Sequence, residues 1–398
     1  MGSPDPGDRL PDYSFDALTP ARLRERNTVK WNRFDPDVLA LWVAEMDYPT
    51  APAVRAAIRA AVDREEFGYP RFGHDALPIA TADWCADRYG WTVNPEWVAV
   101  VADVLKGVEL AIGFLTRPQS PVVLPVPAYM PFFDVLQVAG RGRVEVPMVP
   151  DAAGRYGLDL DAVAAAFTAG AGSIILCNPF NPLGTVFTAA ELRAVVDLAA
   201  THGARVIADE IHAPLVYDGR HVPAASVSPA AAETVVTVMS ASKAWNLPGL
   251  KCAQLILSNP ADAAIWRRVN WLNWMGASTV GITANLAAYR DGAPWLDAVL
   301  QYLRCNRDRV ADTLPARVPG LQVTRPEGTY LSWLDLRALD LPEEPADYLL
   351  QHARVALNPG IPFGAGSGCA RLNFATTAAI LDDALDAIVA ALTGREPT

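Results

Sequence analysis

Thr234-Val235-Val236-Thr237-Val238-Met239-Ser240-Ala241-Ser242-Lys243 is the stretch on which the fold turns. Its first six residues, dominated by β-branched side chains, read as a buried strand. The strand runs directly into two serines and a lysine. Where a parallel sheet is covered on both faces, ligands gather at the carboxyl ends of its strands. A lysine placed there can bond covalently to an aldehyde while the hydroxyls of Ser240 and Ser242 bind a phosphate. Taken alone, the same four residues also read as an exposed helix start with a serine cap. The neighbouring strands decide between the two.

Six more runs of this kind surround it: Val98 to Val101, Val122 to Val126, Arg143 to Val149, Ser173 to Cys177, Arg205 to Ala208 and Ala253 to Ser258. Amphipathic stretches separate most of them. Seven strands alternating with helices predict an α/β fold with a mostly parallel seven-stranded sheet. After Trp295 to Arg309, which has helical spacing, the pattern changes. Strands are expected at Leu321 to Val323, Tyr330 to Leu334 and Ala370 to Phe374, with helices near Ala346 to Arg354 and Ala378 to Leu392. The tail therefore reads as a smaller α+β domain. The expected division is residues 1–47 as an N-terminal segment joining the small domain, 48–290 as the large domain and 291–398 as the small one.

The 398 residues, 51% hydrophobic and 19% charged, suit a globular enzyme with a sizeable core. A net charge of -11 without a dense basic block argues against nucleic acid or an anionic membrane as partner. No apolar run is long enough to span a bilayer. Met1 to Leu10, rich in Pro, Gly and Asp, reads as a frayed terminus rather than a signal peptide, and the expected location is the cytoplasm. Cys85, Cys177, Cys252, Cys305 and Cys369 are odd in number and widely spaced, as thiols in a reducing compartment are.

Two other strand ends carry chemistry. Asp209, in Ala208-Asp209-Glu210-Ile211-His212, can hold a cationic nitrogen heterocycle at the sheet edge; it also reads as a loop acid capping a helix. A metal site through Asp209, Glu210 and His212 lacks any recognised ligand spacing. Asn178-Pro179-Phe180-Asn181-Pro182-Leu183-Gly184 follows a third strand. It reads as a turn, yet an asparagine amide there can donate to a phenolate oxygen. Either Asn-Pro bond is open to the cis form. Phe363-Gly364-Ala365-Gly366-Ser367-Gly368 precedes a strand-like run and fails the dinucleotide fingerprint.

These three motifs, in this order, resemble the class I/II aminotransferase superfamily, fold type I of the pyridoxal phosphate enzymes. Lys30-Trp31, Trp42 to Tyr48, Phe67-Gly68-Tyr69, Asp209 to His212, Glu327-Gly328-Thr329-Tyr330 and Arg371 to Ala375 resemble its carbon-sulfur lyase branch, the MalY/PatB/cystalysin-like group. The likeness runs from Arg26 to Ala375. It implies pyridoxal 5'-phosphate as cofactor, held as a Schiff base by Lys243, which also moves protons at the substrate α carbon. It implies Asp209 on the pyridine nitrogen, Asn181 on the phenolic oxygen and Tyr129 stacked on the ring. The phosphate falls to Ser240, Ser242 and the backbone amides of Val104 and Leu105. Tyr69 is implied to reach that phosphate from a neighbouring subunit of a homodimer.

Lys251, eight residues after Lys243, stands where relatives place a phosphate-binding arginine, and reads equally as a solvated strand-start residue. Arg371 matches a substrate carboxylate with two parallel hydrogen bonds. His212 stands where tyrosine is usual and reads either as a cofactor neighbour or as a core histidine. The chain departs from the family at Phe180, Glu45 and Pro214, and at Asp103-Val104-Leu105-Lys106, where a glycine-rich step is common. Trp271-Leu272-Asn273-Trp274 reads as lining the substrate entrance or packing the dimer.

The resemblance implies α,β-elimination from a small amino acid substrate, a cysteine S-conjugate such as cystathionine, giving thiol, pyruvate and ammonia. The alternatives are transamination between an amino acid and a keto acid, a specialised lyase or decarboxylating deaminase acting on a bulky cysteine conjugate, and, from another class, a regulatory binding module.

Overall fold

The computed structural model describes residues 13–70, 76–364 and 366–394. The Met1 to Leu10 stretch and Ala365 lie outside them. Seven strands form the main sheet: β1 (Val98–Val101), β2 (Val122–Val126), β3 (Arg143–Pro147), β4 (Ser173–Cys177), β5 (Arg205–Asp209), β6 (Val235–Met239) and β7 (Ala253–Ile256). Their order is β1-β7-β6-β5-β4-β2-β3. Only β7 runs against its neighbours β1 and β6; every other pairing is parallel. β2, β4 and β6 are buried at every residue, as strands covered on both faces must be.

Register places the chemistry. Cys177 lies opposite Asp209, and Asp209 opposite Val238, so the ends of β4, β5 and β6 form one continuous lip. Helix α1 (Val104–Leu115) begins at the same lip, two residues after β1. Gly107 lets it lie close on the sheet, because a Cβ there would come within 2.5 Å of Val238 Cγ1.

One expected strand is shorter than read. Arg143 to Val149 breaks at Pro147, and Val149–Pro150 pairs instead with Tyr156–Gly157. Two prolines within four residues remove ladder donors, which explains the break. Other boundaries shift by one or two residues. Thr234 ends a short helix rather than opening β6, and Ile256 ends β7.

The C-terminal region builds a second, antiparallel sheet from β8 (Gln322–Val323), β9 (Leu331–Asp335), β10 (Asn358–Pro359) and β11 (Cys369–Asn373), in the order β8-β9-β11-β10. Leu39–Ala40 pairs in parallel with Val355–Ala356, which ties the N-terminal segment to this layer. The Glu327–Thr329 turn then locks it onto the main sheet. The amides of Glu327 and Gly328 donate to Gly184 O, at 2.9 and 3.1 Å, and Thr329 N donates to Leu215 O. Gly328 is needed there, since a Cβ would sit 2.8 Å from Pro179 Cγ and 2.9 Å from Leu215 O. Among the described residues no helix is long and apolar enough to cross a membrane.

A buried ion pair holds the N-terminal segment. Lys30 Nζ lies 3.0 Å from Asp47 Oδ1, with both side chains almost wholly out of water. Trp31 Nε1 donates to the same oxygen at 2.7 Å, and Lys30 also donates to Glu45 O. Removing one partner strands a buried charge. Asp47→Ala is therefore expected to cost about 3–5 kcal/mol of stability, seen as a lower denaturant midpoint at unchanged slope. An unchanged midpoint would contradict the assignment.

Candidate active site

A cavity of about 140 Å³ opens at the lip of the main sheet, lined by Asp103, Val104, Leu105, Tyr129, Cys177, Asn181, Asp209, Ile211, His212, Ser242, Lys243 and Lys251 among others. It brings together residues that are far apart in sequence because most of them end or follow a parallel strand whose carboxyl end faces the same way, while Lys251 stands just before the antiparallel β7.

The sequence contains four lysines. Three are ion-paired: Lys30 with Asp47, Lys106 with Glu109 at 2.9 Å and Lys251 with Asp103 at 2.7 Å. Lys243 alone has no carboxylate partner among the described residues; its Nζ donates to Ala44 O at 2.9 Å. Burial pushes its amine down to about 8, the Arg371 guanidinium acting in the same direction against Glu45 and Asp209. An amine titrating there is partly free near neutral pH, which both carbonyl addition and proton abstraction require.

Asp209 ends β5 with its side chain buried. Its Oδ1 accepts from Ile211 N at 3.1 Å. Burial pushes the carboxyl up to about 7, while the Ile211 amide and Lys243 oppose the shift. Among the described residues no cation lies at bonding distance from this carboxylate. His212 beside it is also buried; its ring stands edge-on to Tyr330 at 5.9 Å, Nδ1 has no hydrogen-bond partner among the described residues, and burial holds its pKa well below the usual value. Glu210 turns away to pair with His221 at 3.1 Å.

Arg371, on β11, is 1% exposed and faces no acidic side chain within bonding distance among the described residues. Nη1 donates to Asn181 Oδ1 and Nη2 to Trp42 O, each at 3.1 Å, while Nε has no hydrogen-bond partner among the described residues. Burial pushes the guanidinium down to about 10. A buried guanidinium without an anion is costly, and a bound carboxylate would relieve it. Asn181 spends its oxygen on Arg371, which leaves its amide NH₂ as the group to offer a phenolic oxygen. Both Asn178-Pro179 and Asn181-Pro182 are cis.

At the other end of the cavity Asp103 caps α1, its Oδ1 accepting from Lys106 N at 2.8 Å. Val104 and Leu105 hold the first two helical positions, whose amides have no intrahelical acceptor. Ser242 lines this end with them. Ser240 does not: its hydroxyl, 2% exposed as a residue, donates to Cys252 O at 2.7 Å and accepts from Ser242 N at 3.0 Å. It braces the turn from β6 towards β7. Tyr69 lies elsewhere, 87% exposed on a separate groove of about 760 Å³ that Trp274 and Met275 also line.

The structure adds groups that sequence reading passed over. Cys177 lines the cavity, and the carbonyls of Trp42 and Ala44 receive Arg371 and Lys243. Ala44 O also accepts from Tyr330 Oη at 3.0 Å. Backbone acceptors carry no side-chain signal, so nothing in the residue types could have singled these two out.

The residues present fit pyridoxal phosphate. A reactive amine, a buried carboxylate without a cation among the described residues, an amide donor, an aromatic ring and a helix start lie around one small cavity, and Arg371 connects to it through its hydrogen bond to Asn181. Comparison with known proteins agrees. The family model for aminotransferase class I and II matches residues 36–388. Cystathionine beta-lyase from Corynebacterium glutamicum is 44% identical over 370 residues, covering 93% of this chain and 98% of that protein. A solved structure from Corynebacterium diphtheriae, assigned as a pyridoxal-phosphate-dependent beta-cystathionase, matches with TM-score 0.91 at 44% identity over 95% of this chain and 99% of that one. The pyridoxal-phosphate-bound C-S lyase from Staphylococcus hominis matches with TM-score 0.89 at 27% identity over 96% and 99%. The chain belongs to the class I and II aminotransferase family and, within it, to the pyridoxal-phosphate-dependent carbon-sulfur lyases.

Proposed function

We propose that this chain performs α,β-elimination on cysteine S-conjugates such as cystathionine. The Cα–H and Cβ–S bonds break, water then replaces nitrogen at the α carbon as the Cα–N bond breaks, and the products are a thiol, pyruvate and ammonia. The observation that carries the reading is Lys243: the one lysine without a carboxylate partner among the described residues, its amine pushed down to about 8, beside the buried Arg371 and Asp209. The similarity to the Corynebacterium glutamicum protein named cystathionine beta-lyase supports the substrate class.

When bound, pyridoxal phosphate supplies the electron sink for the pair left at the substrate α carbon. Arg371 would bind the substrate carboxylate through its fork and so orient the bonds at the α carbon. Lys243 Nζ would hold the cofactor covalently, and as a free amine it would remove the substrate's α proton. Asp209 would hold the ring nitrogen, whose positive charge would favour the ionised carboxylate. Asn181, held by Arg371, would donate to the phenolic oxygen, and Tyr129 would pack against the ring. Val104, Leu105, Ser242 and Lys251 receive the phosphate. His212, at the same floor, remains neutral. The active unit is a cytoplasmic homodimer in which the exposed Tyr69 reaches the other subunit's phosphate; Phe67, Trp271 and Leu272, also exposed, belong to the face that it covers.

The test is purified holoenzyme given cystathionine, with pyruvate and free thiol followed together. Equal release of both without any keto acid is expected. Turnover that requires a keto acid and yields no thiol would make the chain an aminotransferase instead.

A further inference from the structure

The phosphate end of the cavity contains a carboxylate that opposes its own ligand. Asp103 Oδ2 lies 2.7 Å from Lys251 Nζ, and both residues line the cavity with Val104, Leu105 and Ser242. Lys106, the other nearby cation, is turned along α1 to Glu109. Of the two lysines that line the cavity, Lys243 and Lys251, only Lys251 has a carboxylate partner among the described residues, and its charge is already neutralised. Its backbone is fixed in the left-handed region at φ 49°, with its carbonyl accepting from Ser278 N, so the side chain starts from a held position.

A phosphate monoester brings a charge of about −1.5 to −2 at neutral pH. Seating it against the α1 amides places that charge beside Asp103, which cannot swing far because its Oδ1 caps the helix through Lys106 N. We propose that Asp103 is an affinity-lowering residue. Cofactor entry exchanges the Lys251–carboxylate pair for a Lys251–phosphate pair in the presence of a retained like charge, so the chain holds its phosphate less tightly than the same cradle without that carboxylate. The Asp103 and Lys251 side chains are 35% and 58% exposed, which screens the repulsion without abolishing it. The inference rests on the phosphate lying at the α1 end and is independent of which substrate is used.

Asp103→Asn isolates the charge, since asparagine retains a cap acceptor for Lys106 N. Dissociation constants are measured by equilibrium dialysis for the parent, Asp103→Asn and Lys251→Met, each with pyridoxal 5'-phosphate and with pyridoxal, which lacks the phosphate. Asp103→Asn is expected to bind the phosphorylated cofactor about three- to tenfold tighter, the size of a partly screened like-charge contact, and to bind pyridoxal as the parent does. A gain in affinity cannot arise from misfolding. Lys251→Met is expected to weaken only the phosphorylated form. No gain in Asp103→Asn, or an equal gain with pyridoxal, overturns the proposal. If Lys251→Met affects both compounds equally, the phosphate does not lie at this end and the proposal falls with that placement.

Discussion

Lys243→Ala is expected to lower kcat at least about 10³-fold, since general-base removal alone costs 10²–10⁴ and the covalent hold on the cofactor goes with it. The fold should survive. Ala44 O, which loses the lysine, keeps the Tyr330 hydroxyl, so no buried acceptor is left bare. Loss of the lysine also removes a desolvation cost. Pyruvate release and a thermal melt check both halves. Turnover close to the parent's would place the base elsewhere, whereas loss of the melt would mean that the effect is structural.

Arg371→Ala should be the second largest lesion, about 10²–10³ in kcat/KM, the range expected when one side of a buried, hydrogen-bonded charge pair is truncated. Most of it should appear with substrates that carry the α-carboxylate. Arg371→Lys keeps the charge but loses the fork and should recover only a small part. The change has a second reach, because Arg371 Nη1 holds Asn181 Oδ1 at 3.1 Å. Freed, Asn181 can turn its amide, and the absorbance of the bound cofactor should shift. Unaltered kcat/KM in Arg371→Ala would assign the carboxylate to another cation.

Much of this was legible in the residues because buried parallel strands write themselves as β-branched runs. The run before Ser240 and the run before Asn178 announced where the sheet ends, and chemistry follows sheet ends. Asp209 was read as following its strand and proves to be the strand's last residue. What stayed hidden has physical causes. Ser240 and Ser242 look equivalent in sequence, but only Ser242 faces the cavity, and Ser240 braces the turn to Cys252 O. The Asp103–Lys251 pair joins residues 148 apart, which no local pattern reveals. The early end of β3 was readable from Pro147 and Pro150, and the β-branched run around them outweighed that signal.

The direct test of Lys243 is chemical. Borohydride reduction fixes the cofactor to whichever amine carries it, and peptide mapping by mass spectrometry then reads the site among the four lysines. The account predicts the added mass on Lys243 alone. Modification of Lys251, eight residues away, or of Lys30 or Lys106 in place of Lys243, would contradict it.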